Sequence, residues 1–288
     1  MPQDGEQLSL PLLGQPMRPE SIGGVSIEYR DATSILTPAS GFMSGYDFTL
    51  NPYSGCSFGC TYCYAAFFAR ETTKRDTWGE WLVVKQNAEE LLNRLAKRGL
   101  LKSKSIYLSS VTDPYVPIDQ QLGITRALLQ ILVKHDVRLV VQTRGPLVTR
   151  DIDLFKQFRA IRVHMTVTTD AEDVRKVFEP RCPANRRRLA AIAEVAAAGV
   201  PTRITLTPLL PVADPSAFAL ALQETGVREF VVQPFHSGRG KFVRGTRDEA
   251  LRLTDKYRWT PERYQDTLAV LRRRLPVLFE GQEGFAPV

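Results

Sequence analysis

Six short runs rich in apolar and β-branched residues recur along the chain: Phe48 to Pro52, Ser105 to Val111, Val137 to Arg144, Ile161 to Thr169, Thr202 to Leu209 and Glu229 to Phe235. Between them the apolar spacing changes to about 3.6 residues, as in Leu91, Leu92 and Leu95, in Leu128, Leu129 and Leu132, across Ile152 to Phe158 and across Phe218 to Leu222. Strands apolar on both faces and separated by helices pair in parallel through right-handed crossovers. Six such units predict an α/β fold, an open barrel or a wound sheet. Its ligands would gather where strands end and the following loops begin.

The ends of two helices are also readable. Asn185 is placed to cap the run RRRLAAIAEVAAA, which stops at Gly199 just before Pro201. Thr260 as cap and Pro261 in the first turn announce a last helix with Tyr264, Leu268, Leu271 and Leu275 on one side. The tail after Pro276 reads as irregular. Residues 1–45 are rich in Gly, Pro and Ser without a sustained period, and so read as an N-terminal extension. The expected organisation is that extension, a core over 46–240 and a C-terminal helical region over 241–288.

With 43% hydrophobic residues in 288 positions there is enough apolar matter for one large α/β domain, which excludes disorder over most of the chain. Thirty-eight basic against 31 acidic side chains leave a charge of +7, too evenly spread to form a concentrated phosphate-binding patch, so nucleic acid is unsupported as a partner. No run of about 18 apolar residues occurs, and the start MPQDGEQLSL lacks a basic segment followed by an apolar one. A membrane span is not expected, and a cytoplasmic location is.

Three of the four cysteines crowd together in Asn51-Pro-Tyr-Ser-Gly-Cys-Ser-Phe-Gly-Cys-Thr-Tyr-Cys-Tyr64, immediately after the first predicted strand. Gly55 and Gly59 let the backbone curl tightly there. Thiolates suit zinc or iron–sulfur clusters. Cys56, Cys60 and Cys63 can hold three irons of a [4Fe-4S] cluster and leave the fourth open to a chelating small molecule. The competing readings are a zinc loop completed by His164, His236 or Cys182, and inert buried thiols.

CxxxCxxC with an aromatic residue before its third cysteine, placed after a first strand, resembles the radical S-adenosylmethionine (radical SAM) enzymes. The resemblance implies a partial (βα)6 TIM-like barrel whose unique iron binds the amino and carboxylate groups of S-adenosylmethionine. Cleavage by an electron from an external flavodoxin- or ferredoxin-type reductant would yield a 5′-deoxyadenosyl radical that abstracts hydrogen from a substrate the sequence does not identify.

Ser109-Ser-Val-Thr-Asp-Pro-Tyr115 looks like the SxTDPYxP segment of the spore-photoproduct-lyase-like branch. Ser109, Ser110 and Thr112 match positions that contact the methionine amino group, while Asp113 equally suits a turn cap. Arg144 stands where the branch generally has a lysine pairing with the cofactor carboxylate, a role Arg performs bidentately. Thr166 and Thr168 match its SxTT pattern, implying a ribose or carboxylate contact. Phe178-Glu-Pro-Arg181, followed by Arg187 or Arg188 before Leu189, looks like its EPR…RL motif, in which Glu179 and Arg181 orient each other or the cofactor. Tyr62 is expected near the adenine, and Thr207 to Pro211 would wall the adenine side. Tyr64 matches a tyrosine near the radical path, making it the candidate catalytic residue. Cys182 reads as inert. Ser110 stands where the lyase places a hydrogen-donating cysteine, so the lyase mechanism is not carried over. DNA or RNA lesion repair and a non-catalytic iron–sulfur or zinc protein remain the alternatives.

Overall fold

The computed structural model describes residues 18–236 and 246–288. Residues 1–17 of the expected extension, and the expected boundary at 240/241, lie outside the described residues. Twelve strands occur among the described ones: β1 (Ser21–Ile22), β2 (Val25–Arg30), β3 (Leu36–Pro38), β4 (Phe48–Leu50), β5 (Tyr53–Gly55), β6 (Trp81–Lys85), β7 (Ser105–Leu108), β8 (Arg138–Thr143), β9 (Ala160–Thr166), β10 (Thr202–Leu206), β11 (Glu229–Val232) and β12 (Val277–Glu280).

Eight of them form one sheet in the order β12-β11-β10-β9-β8-β7-β4-β3, parallel from β4 to β12 with β3 antiparallel on the edge. This is the expected partial barrel, and its six expected strands are β4, β7, β8, β9, β10 and β11. Alternation decides what each face does. One set of side chains, including Leu108, Leu139, Val141, Val163, Met165, Ile204, Leu206 and Phe230, packs against Leu92, Leu128, Leu132, Ile192, Val195, Phe218 and Leu271 of the surrounding helices. The alternate set, with Tyr107, Val140 and Val231, faces a smaller cluster with Tyr46 and Phe285.

Three expectations need correction. The tail after Pro276 is not irregular: β12 adds a seventh parallel strand, paired from Glu229↔Val277 to Val232↔Glu280, and a 3-10 turn follows at Gly281–Phe285. Only four residues long, with a half-exposed face, that strand carries too weak a pattern to stand out beside a long helix. Asn185 does not cap the helix Asn185–Ala197 but is its first residue; its side-chain amide donates to the Thr169 carbonyl at 2.7 Å, while Ala184 occupies the cap position. Part of the stretch read as aperiodic enters a second sheet, β1-β2-β6-β5, in which β2 runs parallel to β6. The helix Pro261–Arg274 begins as expected, with Thr260 Oγ1 accepting from the Arg263 N–H at 3.3 Å.

The turn after β12 joins the two ends of the sheet. Tyr46, between β3 and β4, donates its hydroxyl to the Phe285 carbonyl at 2.8 Å, and Gln282 Nε2 donates to the Phe42 carbonyl at 2.6 Å. The Phe42 and Phe285 rings meet edge to face at 5.4 Å. Aromatic packing therefore fastens a seam that no strand pairing closes. Phe285→Ala is expected to cost about 3 kcal/mol of stability through the cavity left at the seam, read as a lower denaturant midpoint.

Candidate active site

β5 leads into the cysteine loop, and local backbone sterics set its path. Gly55 has φ +77°, and a Cβ there would lie 2.6 Å from the Trp81 ring. At Gly59, φ +60°, the chain passes Gly79 so closely that a Cβ on Gly79 would come within 2.5 Å of the Gly59 Cα. The Thr61 N–H anchors the loop on the Phe178 carbonyl at 2.9 Å. Cys56 and Cys60 are buried and Cys63 partly so. Burial pushes the Cys56 thiol well up and the Cys63 thiol to about 11. At neutral pH, loading a metal would therefore displace a proton from each.

The three residues considered as completing a zinc loop stand in different surroundings. The His164 ring is buried 5.9 Å from that of Phe285 and 6.5 Å from that of Tyr107. The His236 ring meets Tyr64 at 5.3 Å. Cys182 does approach the loop, with its Sγ 3.6 Å from that of Cys60. Among the described residues no three His, Cys, Asp or Glu side chains converge as a single ion requires.

The cysteine loop covers one wall of a cavity of about 640 Å³ that opens at the strand ends. Ten of the twelve expected site residues line it: Cys56, Cys60, Tyr62, Cys63, Tyr64, Ser109, Ser110, Thr112, Arg144 and Thr166. Thr168 and Arg181 do not. Thr168 is buried behind the wall and donates to Glu179 at 2.9 Å, and Arg181 is exposed with its guanidinium on the Gly79 carbonyl. The expected pairing of Glu179 with Arg181 is thus replaced by one with Arg188, because the chain turns after Phe178 and carries Arg181 outward.

Glu179 is fully buried and organises this side of the site. Its Oε2 accepts from Arg188 Nη2 at 2.5 Å, and its Oε1 accepts from the Tyr62 hydroxyl and from Thr168. Arg144 Nη2 donates to the Tyr62 oxygen at 3.1 Å, and its Nε lies 3.7 Å from Glu179. Burial alone would raise the Glu179 carboxyl, but the Arg188 and Arg144 guanidinium groups bring it down to about 2. Arg188 is itself wholly buried and also donates to the Thr166 carbonyl at 3.1 Å. Of the three consecutive arginines, Arg186 and Arg187 form the solvated face and Arg188 is the one held by an anion.

The loop after β7 is fixed from both sides. Asn51 Oδ1 accepts from the N–H groups of Ser110 and Val111 at 3.0 and 3.1 Å, and Thr112 Oγ1 donates to the Gly55 carbonyl at 2.6 Å. Asp113 accepts from the Tyr115 N–H, the Thr143 hydroxyl and the Arg144 N–H at 2.7 to 2.9 Å, so it caps its turn and also pins the end of β8. Tyr115, Arg126 and Arg150 all bond Asp151 at 2.9 to 3.0 Å, and Arg150 reaches Asp119 at 2.8 Å. The DPY and RDID segments thus form a buried ionic brace under the site.

Buried polar atoms at the cavity lack a hydrogen-bond partner at Ser109 Oγ, Gln233 Nε2 and Trp78 Nε1, while Arg144 Nε has only its ion pair to Glu179 at 3.7 Å. Ser109 also holds φ +76°, a left-handed conformation that costs a non-glycine residue of the order of 1 kcal/mol. Buried polar groups without a protein partner are met by an ordered water, an ion or a polar ligand. A hydroxyl and a guanidinium nitrogen beside three thiols fit a polar cofactor held next to a metal cluster. Sequence reasoning missed Asn51, Gln142 and Gln233, and it read Cys182, weighed as a further ligand of the loop, as inert. Of these only Asn51, adjoining the cysteine motif, carried a signal.

The structure is thus a parallel partial barrel with a three-cysteine loop over a cavity at its strand ends. The family model described as the Radical SAM superfamily matches residues 50–223, well over half of the chain, and the chain belongs to that superfamily. The family brings with it a [4Fe-4S] cluster and S-adenosylmethionine. MJ0683 of Methanocaldococcus jannaschii is 35% identical over 169 residues, 59% of this chain and 62% of that protein. ORF301 of Acidianus two-tailed virus is 28% identical over 171 residues, 56% of each. The chain thus spans roughly three-fifths of the length of these relatives. Among solved structures, a spore photoproduct lyase variant with bound AdoMet and dinucleoside spore photoproduct shares the fold. Its TM-score is 0.60 at 14% identity, over 88% of this chain and 81% of that one. A second variant of that lyase gives a TM-score of 0.61 at the same identity and coverage. Among the described residues no helix is long and apolar enough to cross a membrane.

Glu179→Gln is expected to destabilise the protein by about 3 kcal/mol at pH 7, since it leaves Arg188 buried without its counter-ion. The carboxyl is depressed in the folded state, so its contribution is complete above the unfolded value near 4.3 and is lost as pH falls toward about 2. The wild-type advantage in denaturant midpoint should therefore shrink across that window.

Proposed function

We propose that Cys56, Cys60 and Cys63 ligate a [4Fe-4S] cluster and that the adjoining cavity binds S-adenosylmethionine, making the protein a hydrogen-abstracting radical enzyme. The observation that carries this reading is the meeting of three buried or half-buried thiols with the unpartnered Ser109 hydroxyl and the Arg144 guanidinium in one cavity. When bound, cluster and cofactor supply a 5′-deoxyadenosyl radical.

The chain's own part is to bind, orient and shield. Arg144 offers its charge to a carboxylate while Tyr62 and Glu179 hold its far side. Ser109 and Ser110 present hydroxyls to the methionine amino group. The Thr112 hydroxyl already donates to Gly55, so it serves there as an acceptor. Thr166 is tied to Thr205 at 2.9 Å and to Gln142 at 2.6 Å, which fixes the hydroxyl it offers to ribose. Tyr62 spends its hydroxyl on Glu179 and Arg144 and so presents its ring to the adenine. Thr168 acts through Glu179, and Arg181, outside the cavity, holds the Gly79 turn against the loop. Phe42, Phe235 and Phe285 line the cavity and keep water from it.

Tyr64 donates its hydroxyl to the Ser110 carbonyl, and burial pushes its phenol up, so the O–H is retained at neutral pH. A phenolic O–H yields hydrogen far more readily than the aliphatic hydroxyl of Ser110, which makes Tyr64 the residue for the radical path. The substrate occupies the remaining cavity, and an external one-electron reductant of flavodoxin or ferredoxin type supplies the cluster. All four cysteines are free, in keeping with a reducing cytoplasmic setting. Strands β4 to β11 carry the chemistry in this reading, with β3 and β12 extending the same sheet at its two edges.

Anaerobically reconstituted, reduced protein should release 5′-deoxyadenosine from S-adenosylmethionine. Cys60→Ala should abolish the release while leaving the far-UV circular dichroism intact; equal turnover in that variant would refute the ligand assignment. Arg144→Ala should weaken S-adenosylmethionine binding by about 1.5 to 3 kcal/mol, read by equilibrium titration of the reconstituted protein.

A further inference from the structure

One of the three thiols of the loop meets a sulfur from outside it. The Cys60 sulfur has a partner 122 residues away in sequence, the Cys182 sulfur, 3.6 Å distant.

We propose that the Cys182 thiol donates a hydrogen bond to the Cys60 sulfur and thereby raises the reduction potential of the cluster that Cys60 helps to hold. The proposal rests on the ligand assignment above. A sulfur bound to iron has lost its proton, so within this pair only Cys182 can be the donor. Its own position is fixed. The Cys182 N–H donates to the Glu179 carbonyl at 3.0 Å, and its carbonyl accepts from Arg175 Nη1 at 2.8 Å. Both sulfurs belong to buried residues, where solvent does not dilute the interaction. Cys182 is absent from the cavity wall, so it acts on the ligand rather than on substrate. A donor to a ligating sulfur favours the more negative, reduced state of the centre. Cys182 is thus a positioning residue for the electron that starts the reaction.

The test uses full-length wild type, Cys182→Ala, Cys182→Ser and Cys60→Ala, each reconstituted anaerobically, with iron content and an EPR-monitored redox titration as readouts. Cys182→Ala should keep the wild-type iron content and show a lower midpoint potential, and Cys182→Ser, which retains a donor, should recover the wild-type value. Full iron content with an unchanged potential in Cys182→Ala would overturn the proposal. If Cys182→Ala lost the cluster and Cys60→Ala kept it, Cys182 would be the ligand and the proposal would fall on that ground. Wild-type protein that assembles no cubane would refute the ligand assignment itself, and the proposal with it. If Cys182→Ala did not fold, the serine variant would decide alone: a fall in potential despite its O–H donor would overturn the proposal.

Discussion

A single buried carboxylate holds the site together. Glu179 receives Arg188 from the following helix, Thr168 from just beyond β9 and Tyr62 from the cysteine loop, with Arg144 close by. Desolvating a carboxylate and two guanidinium groups is expensive, and only near-complete pairing offsets it. The arrangement is therefore stable in one geometry. Because its members come from four separate segments, that geometry also fixes where the cysteine loop stands relative to the cavity. Removing Glu179 or Arg188 leaves a charge stranded in low dielectric, so the penalty falls on placement as well as on stability.

A second layer of polar residues continues this logic into the barrel. The Tyr107 hydroxyl donates to Gln142, and Gln142 donates to both Thr166 and Thr205, so four adjacent strands are tied across their inner face. An apolar interior would have packed shut. Hydrogen-bonded side chains of fixed length instead give the cavity a polar floor, while aromatic residues from the sheet's two edges close its side. The cavity is thus bounded by rigid elements, the condition under which a cofactor's orientation is set before the substrate arrives.

What the sequence revealed follows from where the signal lies. The six barrel strands were legible because both faces of each are covered, which produces continuous apolar runs. The cysteine loop was legible because its spacing is local. β12 was not, being four residues long and half-exposed, and the second sheet pairs short strands from segments more than fifty residues apart. Asn185 misled because a favourable cap residue was recruited one position later, to satisfy the Thr169 carbonyl. Arg181 misled for a related reason: adjacency in a motif is not adjacency in space, and a tight turn after Phe178 hands the ionic role to Arg188, seven residues on.

Cys182 illustrates the same limit from the other side. A thiol isolated in sequence is most often a small buried apolar group, and its exposure of 6% agrees with that. What changes its meaning is a contact across 122 residues, created because Glu179 and Arg175 clamp the backbone on either side of it. The same clamp holds the backbone of Glu179, whose carbonyl accepts from Arg175 Nη1 at 3.1 Å. Once that carboxylate is placed, the sulfur beside Cys60 follows from the backbone path, so the electrostatic scaffold and the environment of the thiol loop cannot be altered independently. Substitutions in the EPR segment should accordingly act on both at once, on the stability of the fold through Glu179 and on the polarity around Cys60 through residue 182.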